Sequence, residues 1–312
     1  LERHFDGTTS VNDIGSGDSY YIPNFLSKQT RNECYINLFN EIKWWSHFQN
    51  FNGKLEATNR LGNIQYSVTD GDSNIIPWYR YPINNQESLP MHAGYTKSVE
   101  KVRFLVEQAV SHKINHVIAT LYRNGNDGIG FHSDKMIDIK DNTYIVTISL
   151  GNKRRFEFES FKDKRRKDIL YLNHGSMLVI GPQTNLLYKH SVPELKSDDN
   201  NFNDPRISLS MRFVDSYWNK NTNSIIGKGS LYQDINYPLS PFNIHDLKNK
   251  SFKLMNVDQY NYSNNDIDLD KYGIYDVNED NKYVELNEIV NCVYTIHDSH
   301  FHGMLFKISD IN

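Results

Sequence analysis

The sequence predicts an α+β protein, a β-sandwich or jelly roll with helices packed on one side. Three observations carry that prediction. Two amphipathic helical patterns precede residue 115. The apolar period changes to two at Asn115. Strand-like runs separated by turn residues then continue to about residue 214.

Taken in order, residues 1–19 are rich in Gly, Ser, Asp and Thr and read as a loose leader. Residues 30–46 read as a helix. Thr30 and Glu33 form a capping-box pattern, and Cys34, Leu38, Ile42 and Trp45 recur at helical spacing. Residues 53–95 mix Gly, Pro and aromatics without a steady period, which predicts short strands and long loops. A second helix is expected over 98–111, with Val99, Val102, Val106 and Ala109 on one face.

From Asn115, Val117, Ala119 and Leu121 alternate with Ile118, Thr120 and Tyr122, which marks a strand. Further strands are expected at 143–150, 154–160, 176–180 and 206–214, with turns such as Asn124-Gly125 and Gly151-Asn152 between them. Past about residue 216 the pattern weakens, Asn and Asp become frequent through 256–281, and 217–312 reads as an appendage.

Composition narrows the function classes. Hydrophobic residues make up 38% of the 312, ample for a packed core, so a disordered chain is excluded. A net charge of -4 shows no global basic footprint, so a polyanion would have to meet a local basic face. Two cysteines, Cys34 and Cys292, exclude a disulfide framework and point to a reducing compartment. No run approaches the roughly 18 apolar residues of a membrane span, and no signal-peptide pattern is visible. The expected location is intracellular, cytoplasmic or nuclear.

His132-Ser133-Asp134 is the first constellation with chemistry in it. On an extended segment, residues i and i+2 point to the same side, so this imidazole and carboxylate can share a metal. A second histidine on the same face would complete a set of two histidines and one carboxylate. Such a set leaves the opposite coordination positions open and suits non-heme Fe(II). His190, at the end of an expected strand, is the candidate.

Arg206 to Arg212 alternates without a break. Arg206, Ser208, Ser210 and Arg212 fall on one face, and Ile207, Leu209, Met211 and Phe213 on the other. If the apolar face packs on the helices, two arginines point inward, and an anionic ligand is the reason to put them there. The alternative is a solvent-facing edge strand with ordinary surface arginines.

The order His-x-Asp, strands, His, then Arg-x5-Arg resembles the AlkB branch of the Fe(II)/2-oxoglutarate dioxygenases, over much of 115–214. Ile114-Asn115-His116-Val117 through Leu121-Tyr122 is similar to the strand before the iron motif, and Asp127 to Asp134 to the motif itself. Ile148-Ser149-Leu150-Gly151, Arg155-Phe156, His174-Gly175-Ser176-Met177-Leu178 and His190-Ser191-Val192-Pro193 follow in the family's order.

The resemblance implies a double-stranded β-helix (jelly-roll) core at 99–216. An N-terminal extension and candidate substrate lid would occupy 20–98 of a 20–216 domain. It implies Fe(II) held by His132, Asp134 and His190, with O2 and 2-oxoglutarate as co-substrates. Arg206 and Tyr122 would hold the distal carboxylate of 2-oxoglutarate, and Arg212 would lie near the carboxylate that chelates iron. Thr120 stands where the family usually has Asn and can still donate one hydrogen bond, and Ser208, on the face that carries Arg206, is a further candidate co-substrate contact.

The implied reaction is oxidative decarboxylation to succinate and CO2, coupled to hydroxylation of a substrate methyl group and release of formaldehyde. The implied partner is nucleic acid with a methylated, single-stranded or flipped base, as in DNA repair. Lys135-Met136 stands where relatives place acidic residues that help read the base.

In the lid region, Tyr66, Asp72 and Pro77-Trp78 fall in a similar order to the family's. Val68 sits where some relatives place a stacking aromatic, so Tyr66 is the candidate to stack on the base or, equally, an ordinary packing residue. Between 153 and 167 eight Lys and Arg, including Arg165 and Arg166, make either a phosphate-contacting hairpin or a solvated loop. His297, His300 and His302 read as surface histidines. Two other readings stand beside the first. One keeps the iron chemistry but acts on a protein side chain or small molecule. The other is a jelly-roll binding module without activity.

Overall fold

The computed structural model describes residues 2–51, 54–67, 73–79, 91–222, 224–232, 252–253 and 283–284. The chain opens with three short strands, β1 (Glu2–Phe5), β2 (Val11–Ile14) and β3 (Ser19–Ile22). The loose leader expected over 1–19 is therefore corrected. β1 lies parallel to a later strand, with Glu2 opposite Lys167, and β2 and β3 form a hairpin. The Gly and Asp content reflects tight turns. Gly7 has φ +80°, and a Cβ there would stand 2.0 Å from the Tyr171 carbonyl oxygen.

Helix α1 (Lys28–Glu41) starts earlier than the expected Thr30. Ser27 is the N-cap, and its hydroxyl accepts from the Thr30 N–H at 3.1 Å. The helix stops at Ile42, whose backbone is extended (φ -99°, ψ 128°). Trp45 therefore begins β4 (Trp45–Phe51) instead of closing the helix. The long loops expected over 53–95 are also corrected in part, because β5 (Lys54–Tyr66) runs for 13 residues against β4. Two short strands follow, β6 (Ile75–Pro77) and β7 (Met91–Ala93). Asp72 and Val68 lie outside the described residues.

Helix α2 (Lys97–Val110) buries Val99, Val102, Val106 and Val110 and ends at Ser111 in the left-handed region, φ 57°. Burial of each such aliphatic side chain contributes about 1.5–3 kcal/mol. The remaining strands are β8 (His116–Tyr122), β9 (Ile129–His132), β10 (Ile145–Gly151), β11 (Arg154–Ser160), β12 (Lys167–Leu172) and β13 (Ser176–Ile180). They continue with β14 (Tyr188–Val192), β15 (Arg206–Arg212), β16 (Ser216–Asn219) and β17 (Ser224–Gly227). A six-residue helix, α3 (Pro182–Leu187), precedes β14.

Among the described residues, the larger sheet contains the order β5-β8-β15-β10-β13-β3-β2 and the smaller one β1-β12-β11-β14-β9. Val117, Ala119, Leu121, Val146, Ile148, Ile207, Leu209 and Met211 point to the helices and form one core with Cys34, Leu38 and the α2 valines. A second core, including Tyr122, Ile145, Phe156, Phe158, Leu178 and Tyr188, joins the two sheets. This is the jelly roll with helices on one side that the period-two pattern predicts.

β16 and β17 form a third sheet with β6, so the described start of the expected 217–312 appendage packs on the lid region. No helix among the described residues is long and apolar enough to cross a membrane.

Candidate metal and co-substrate site

β15 sits between β8 and β10 and is hydrogen-bonded to both. The edge-strand alternative for 206–212 is thereby excluded, and Arg206, Ser208 and Arg212 are buried on the face away from the helices. Arg206 lies across from Tyr122, Ser208 across from Thr120, and Arg212 across from His116.

His132, on β9, and His190, on β14, are directly paired across their strands, with ring centroids 4.4 Å apart. Asp134 follows two residues later and is buried. Its backbone is pinned by Asn185 of α3. The Asn185 Oδ1 accepts from the Asp134 N–H at 2.9 Å, and its Nδ2 donates to the Asp134 carbonyl at 2.8 Å. The Asp134 Oδ1 accepts from the Tyr79 hydroxyl at 2.9 Å and from Arg212 Nη2 at 2.8 Å. Tyr79 in turn accepts from the Lys135 N–H at 3.2 Å.

The electrostatics keep this group in the protonation states a metal needs. Burial alone would raise the Asp134 carboxyl, but Arg212, His190 and His132 overcome it and hold it at about 2. Desolvation lowers His132, and burial with the neighbouring His132 takes His190 to about 3, so both imidazoles are neutral. His132 Nδ1 is 2.8 Å from the Gly130 carbonyl. A carbonyl only accepts, so Nδ1 carries the proton and Nε2 keeps the lone pair. His190 stacks on Phe156 at 5.4 Å and 14°, and its Nδ1 is buried without a partner among the described residues.

Two neutral imidazoles and an ionised carboxylate are a donor set that fits Fe(II). Among the described residues no three His, Cys, Asp or Glu side chains, as they are placed, converge closely enough to hold a metal ion. Asp134 Oδ1 faces Tyr79 and Arg212, which leaves Oδ2 as the carboxylate oxygen to meet a metal.

Arg206 is 1% exposed. Its Nε donates to the Ser149 hydroxyl at 2.8 Å, and its guanidinium carbon lies 5.0 Å from the Tyr122 ring centre. Its Nη1 and Nη2 are buried without partners among the described residues. Burial lowers its pKa to about 10, against the opposing influence of Tyr122. Arg154, also 1% exposed, is held by the carbonyls of Asn124, Asp127 and Pro193, and its guanidinium carbon lies 5.5 Å from the centre of the same ring. A buried guanidinium with two open donor ends fits a carboxylate.

Other expected residues fall elsewhere. Tyr66 is 6% exposed in a cluster with Ile76, Trp218 and Ile225, the placement expected of a packing residue. The lid aromatic that reaches the site is Tyr79. Met136 packs at the edge of the second core.

Arg165 is 86% exposed and paired with Asp163 at 3.0 Å, and Arg166 lies over the Tyr188 ring at 5.7 Å. The basic cluster is partly neutralised, since Lys167 joins Glu159 at 2.9 Å and Arg155 joins Glu157 at 2.7 Å. His297, His300 and His302 lie outside the described residues.

Tyr79, Asn185, Ser149 and His116 were not singled out by the sequence reading. Pro77-Trp78 lies beside Tyr79, and Ile148-Ser149-Leu150-Gly151 contains Ser149, so faint signals existed for those two. His116 likewise lies in the Ile114-Asn115-His116-Val117 stretch, and only Asn185 has no such signal.

The sequence profile of the 2OG-Fe(II) oxygenase superfamily matches residues 18–212. A mouse relative, DNA oxidative demethylase ALKBH2, is 33% identical over 124 residues, covering 37% of this chain and 50% of that protein. Human alpha-ketoglutarate-dependent dioxygenase alkB homolog 3 is 27% identical over 117 residues, covering 35% and 40%. The matches thus span about half the length of these curated relatives, or less. The solved structure of OsALKBH1 superposes on 62% of this chain and 96% of its own, with TM-score 0.43 and 12% identity.

Proposed function

The chain belongs to the 2OG-Fe(II) oxygenase superfamily, which works with Fe(II), 2-oxoglutarate and O2, and from that premise we propose that it oxidatively dealkylates N-alkylated bases in DNA or RNA. The observation that carries the co-substrate part is Arg206, a buried guanidinium whose two terminal nitrogens have no partner among the described residues. A dicarboxylate anchored there by one end would extend along the inner face of β15 toward Arg212 and the paired histidines. The substrate part is supported by the relatives, among them proteins named DNA oxidative demethylase.

In this reading His132, Asp134 and His190 hold the metal, and Arg206 with Tyr122 holds the far carboxylate of 2-oxoglutarate. Thr120 and Ser208 line the wall between them, and Arg212 serves the end nearest Asp134. When bound, Fe(II) couples decarboxylation of 2-oxoglutarate by O2 to oxidation of a C–H bond on the N-alkyl group. The chain's residues do the rest. Arg206 orients the co-substrate, Asn185 fixes the Asp134 backbone, and Tyr79 and Arg212 fix its carboxylate. The hydroxymethyl group left on nitrogen then departs as formaldehyde. An unpaired base is the preferred substrate, because flipping one out of a duplex costs a few kcal/mol.

The internal pairing of Arg165, Lys167 and Arg155 favours a second reading, a hydroxylase of protein side chains or small molecules, since it leaves less cation for phosphates. One experiment separates them. The protein is incubated with Fe(II), 2-oxoglutarate, ascorbate and methylated DNA and RNA oligonucleotides, and the products are read by mass spectrometry. Loss of methyl groups with formaldehyde is expected. Succinate formation without any loss of methyl would discard the nucleic-acid reading and leave the hydroxylase.

A further inference from the structure

The superfamily match ends at residue 212, yet the segment after it is built into the surroundings of Asp134. It runs first along the loop that follows this residue. The Lys140 N–H donates to the Phe213 carbonyl at 2.8 Å, and Ile139 bridges Val214. The Asp215 N–H donates to the Asp138 carbonyl at 2.8 Å. Lys228 completes the grip. Its Nζ donates to the carbonyls of Met136 at 2.9 Å and Ile139 at 2.7 Å, and to Asp141 Oδ1 at 2.6 Å. An ammonium has three donors, and here all three are used within the loop that begins two residues after Asp134.

The same segment holds the lid. β16 pairs with β6, Tyr217 opposite Pro77 and Asn219 opposite Ile75, and the Trp78 N–H donates to the Ser216 carbonyl at 2.8 Å. Trp218 is 4% exposed and packs on Trp78 with ring centres 5.4 Å apart. Tyr79 is the next residue, and its hydroxyl spends its one proton on Asp134. The lid strand is three residues long, too short to be held by β-pairing to anything less than a packed partner. β16 and Trp218 thus hold the backbone that carries Tyr79 to Asp134.

We propose that residues 213–222 and 224–232 form a positioning element for Asp134. Trp218 acts through Tyr79, and Lys228 acts through the 136–141 loop. The inference rests on the reading of Asp134 as a metal ligand. It assigns the start of the C-terminal segment a task at the metal that the superfamily span does not perform by itself. Removing a group that orients a metal ligand typically costs about 10- to 100-fold in metal affinity.

The test is Mn(II) affinity of the full chain, read by electron paramagnetic resonance, alongside thermal stability. Trp218→Ala and Lys228→Met should each weaken Mn(II) by about tenfold or more, and Lys228→Arg should restore most of the loss. Trp218→Ala added to Tyr79→Phe should weaken binding no further than Tyr79→Phe does, because both act on one contact. If Trp218→Ala does not fold, Lys228→Met decides, since Lys228 sits at the surface end of the loop. Lowered melting temperature with Mn(II) affinity within about twofold of wild type would reduce the segment to a structural brace. Multiplying effects in the double variant would overturn the route through Tyr79. Wild-type Mn(II) affinity in Asp134→Ala would instead sink the metal-ligand reading, independently of Trp218 and Lys228.

Discussion

Arg212 and Asp134 form a buried ion pair, Nη2 to Oδ1 at 2.8 Å, with side-chain exposures of 7% and 3%. The pair joins the last residue of β15 to the residue two past the end of β9, so it ties the larger sheet to the smaller one at the proposed metal. Both charges are desolvated, and each is tolerable only because the other is present.

Removing one partner of that pair should therefore be expensive. Arg212→Met leaves the carboxylate buried without its cation, a loss of about 3–5 kcal/mol. The sign of the pH dependence follows from the low carboxyl of Asp134, about 2 in the folded chain. The pair's contribution is present above the unfolded value of about 3.9 and fades as pH falls toward 2. In Arg212→Met this loss on acidification should shrink or reverse, because a carboxylate buried without its cation is raised by desolvation and is relieved by protonation. Urea unfolding of metal-free protein across that range measures it, and superimposable acid limbs would refute it.

Arg206→Met should separate binding from stability. The 2-oxoglutarate affinity should fall by about 10- to 100-fold, corresponding to roughly 1.5–3 kcal/mol for a charge-assisted hydrogen-bonded pair. The co-substrate-free protein should melt higher than wild type, because a buried cation with two open donor ends has been replaced by an apolar side chain. Calorimetric titration and thermal melts give both numbers. Unchanged affinity would remove Arg206 from the co-substrate site.

Metal dependence should follow the three proposed ligands. One Fe(II) per chain is expected, replaceable by Mn(II), and a chelator should abolish succinate formation. Asp134→Ala should lose most of the affinity, while His112→Ala, distant from the site in sequence and bonded to the Tyr144 N–H, should keep it. Equal iron binding by Asp134→Ala and wild type would refute the ligand assignment.

His116 offers a gain of stability. It is fully buried on β8, 5.7 Å from the Tyr79 ring in an edge contact, and neither ring nitrogen has a partner among the described residues. Burial drives its pKa to about 3, so it is neutral. His116→Phe keeps an aromatic edge for Tyr79 and removes two unsatisfied polar atoms, each worth about 1–3 kcal/mol. The melting temperature should rise by a few degrees, about 2–4 °C per kcal/mol for a domain of this size. A fall would show that the imidazole is satisfied through water.

Much of the arrangement is decided by local pattern. The strict alternation of Arg206–Arg212 is enough to put two arginines on one face, because a strand has period two. His132-x-Asp134 places two donors on one side for the same reason. The valines of α2 select its buried face at a period of 3.6. These signals survive in a bare sequence because each depends only on residues a few positions apart.

Tertiary structure decided what depends on distant partners. The turn-rich residues 2–14 become strands only because β12 and β3 are there to pair with them. Whether Arg206 and Arg212 face solvent or the interior was settled by β8 and β10 flanking β15. Tyr66 and Tyr79 are both lid tyrosines in the sequence. Packing against Trp218 buries one in a satellite core, and pairing of β6 with β16 brings the other to Asp134. Asn185 reaches the Asp134 backbone across 51 positions of chain. No local period records such a contact, because its free energy is realised only when the sheets have closed on each other.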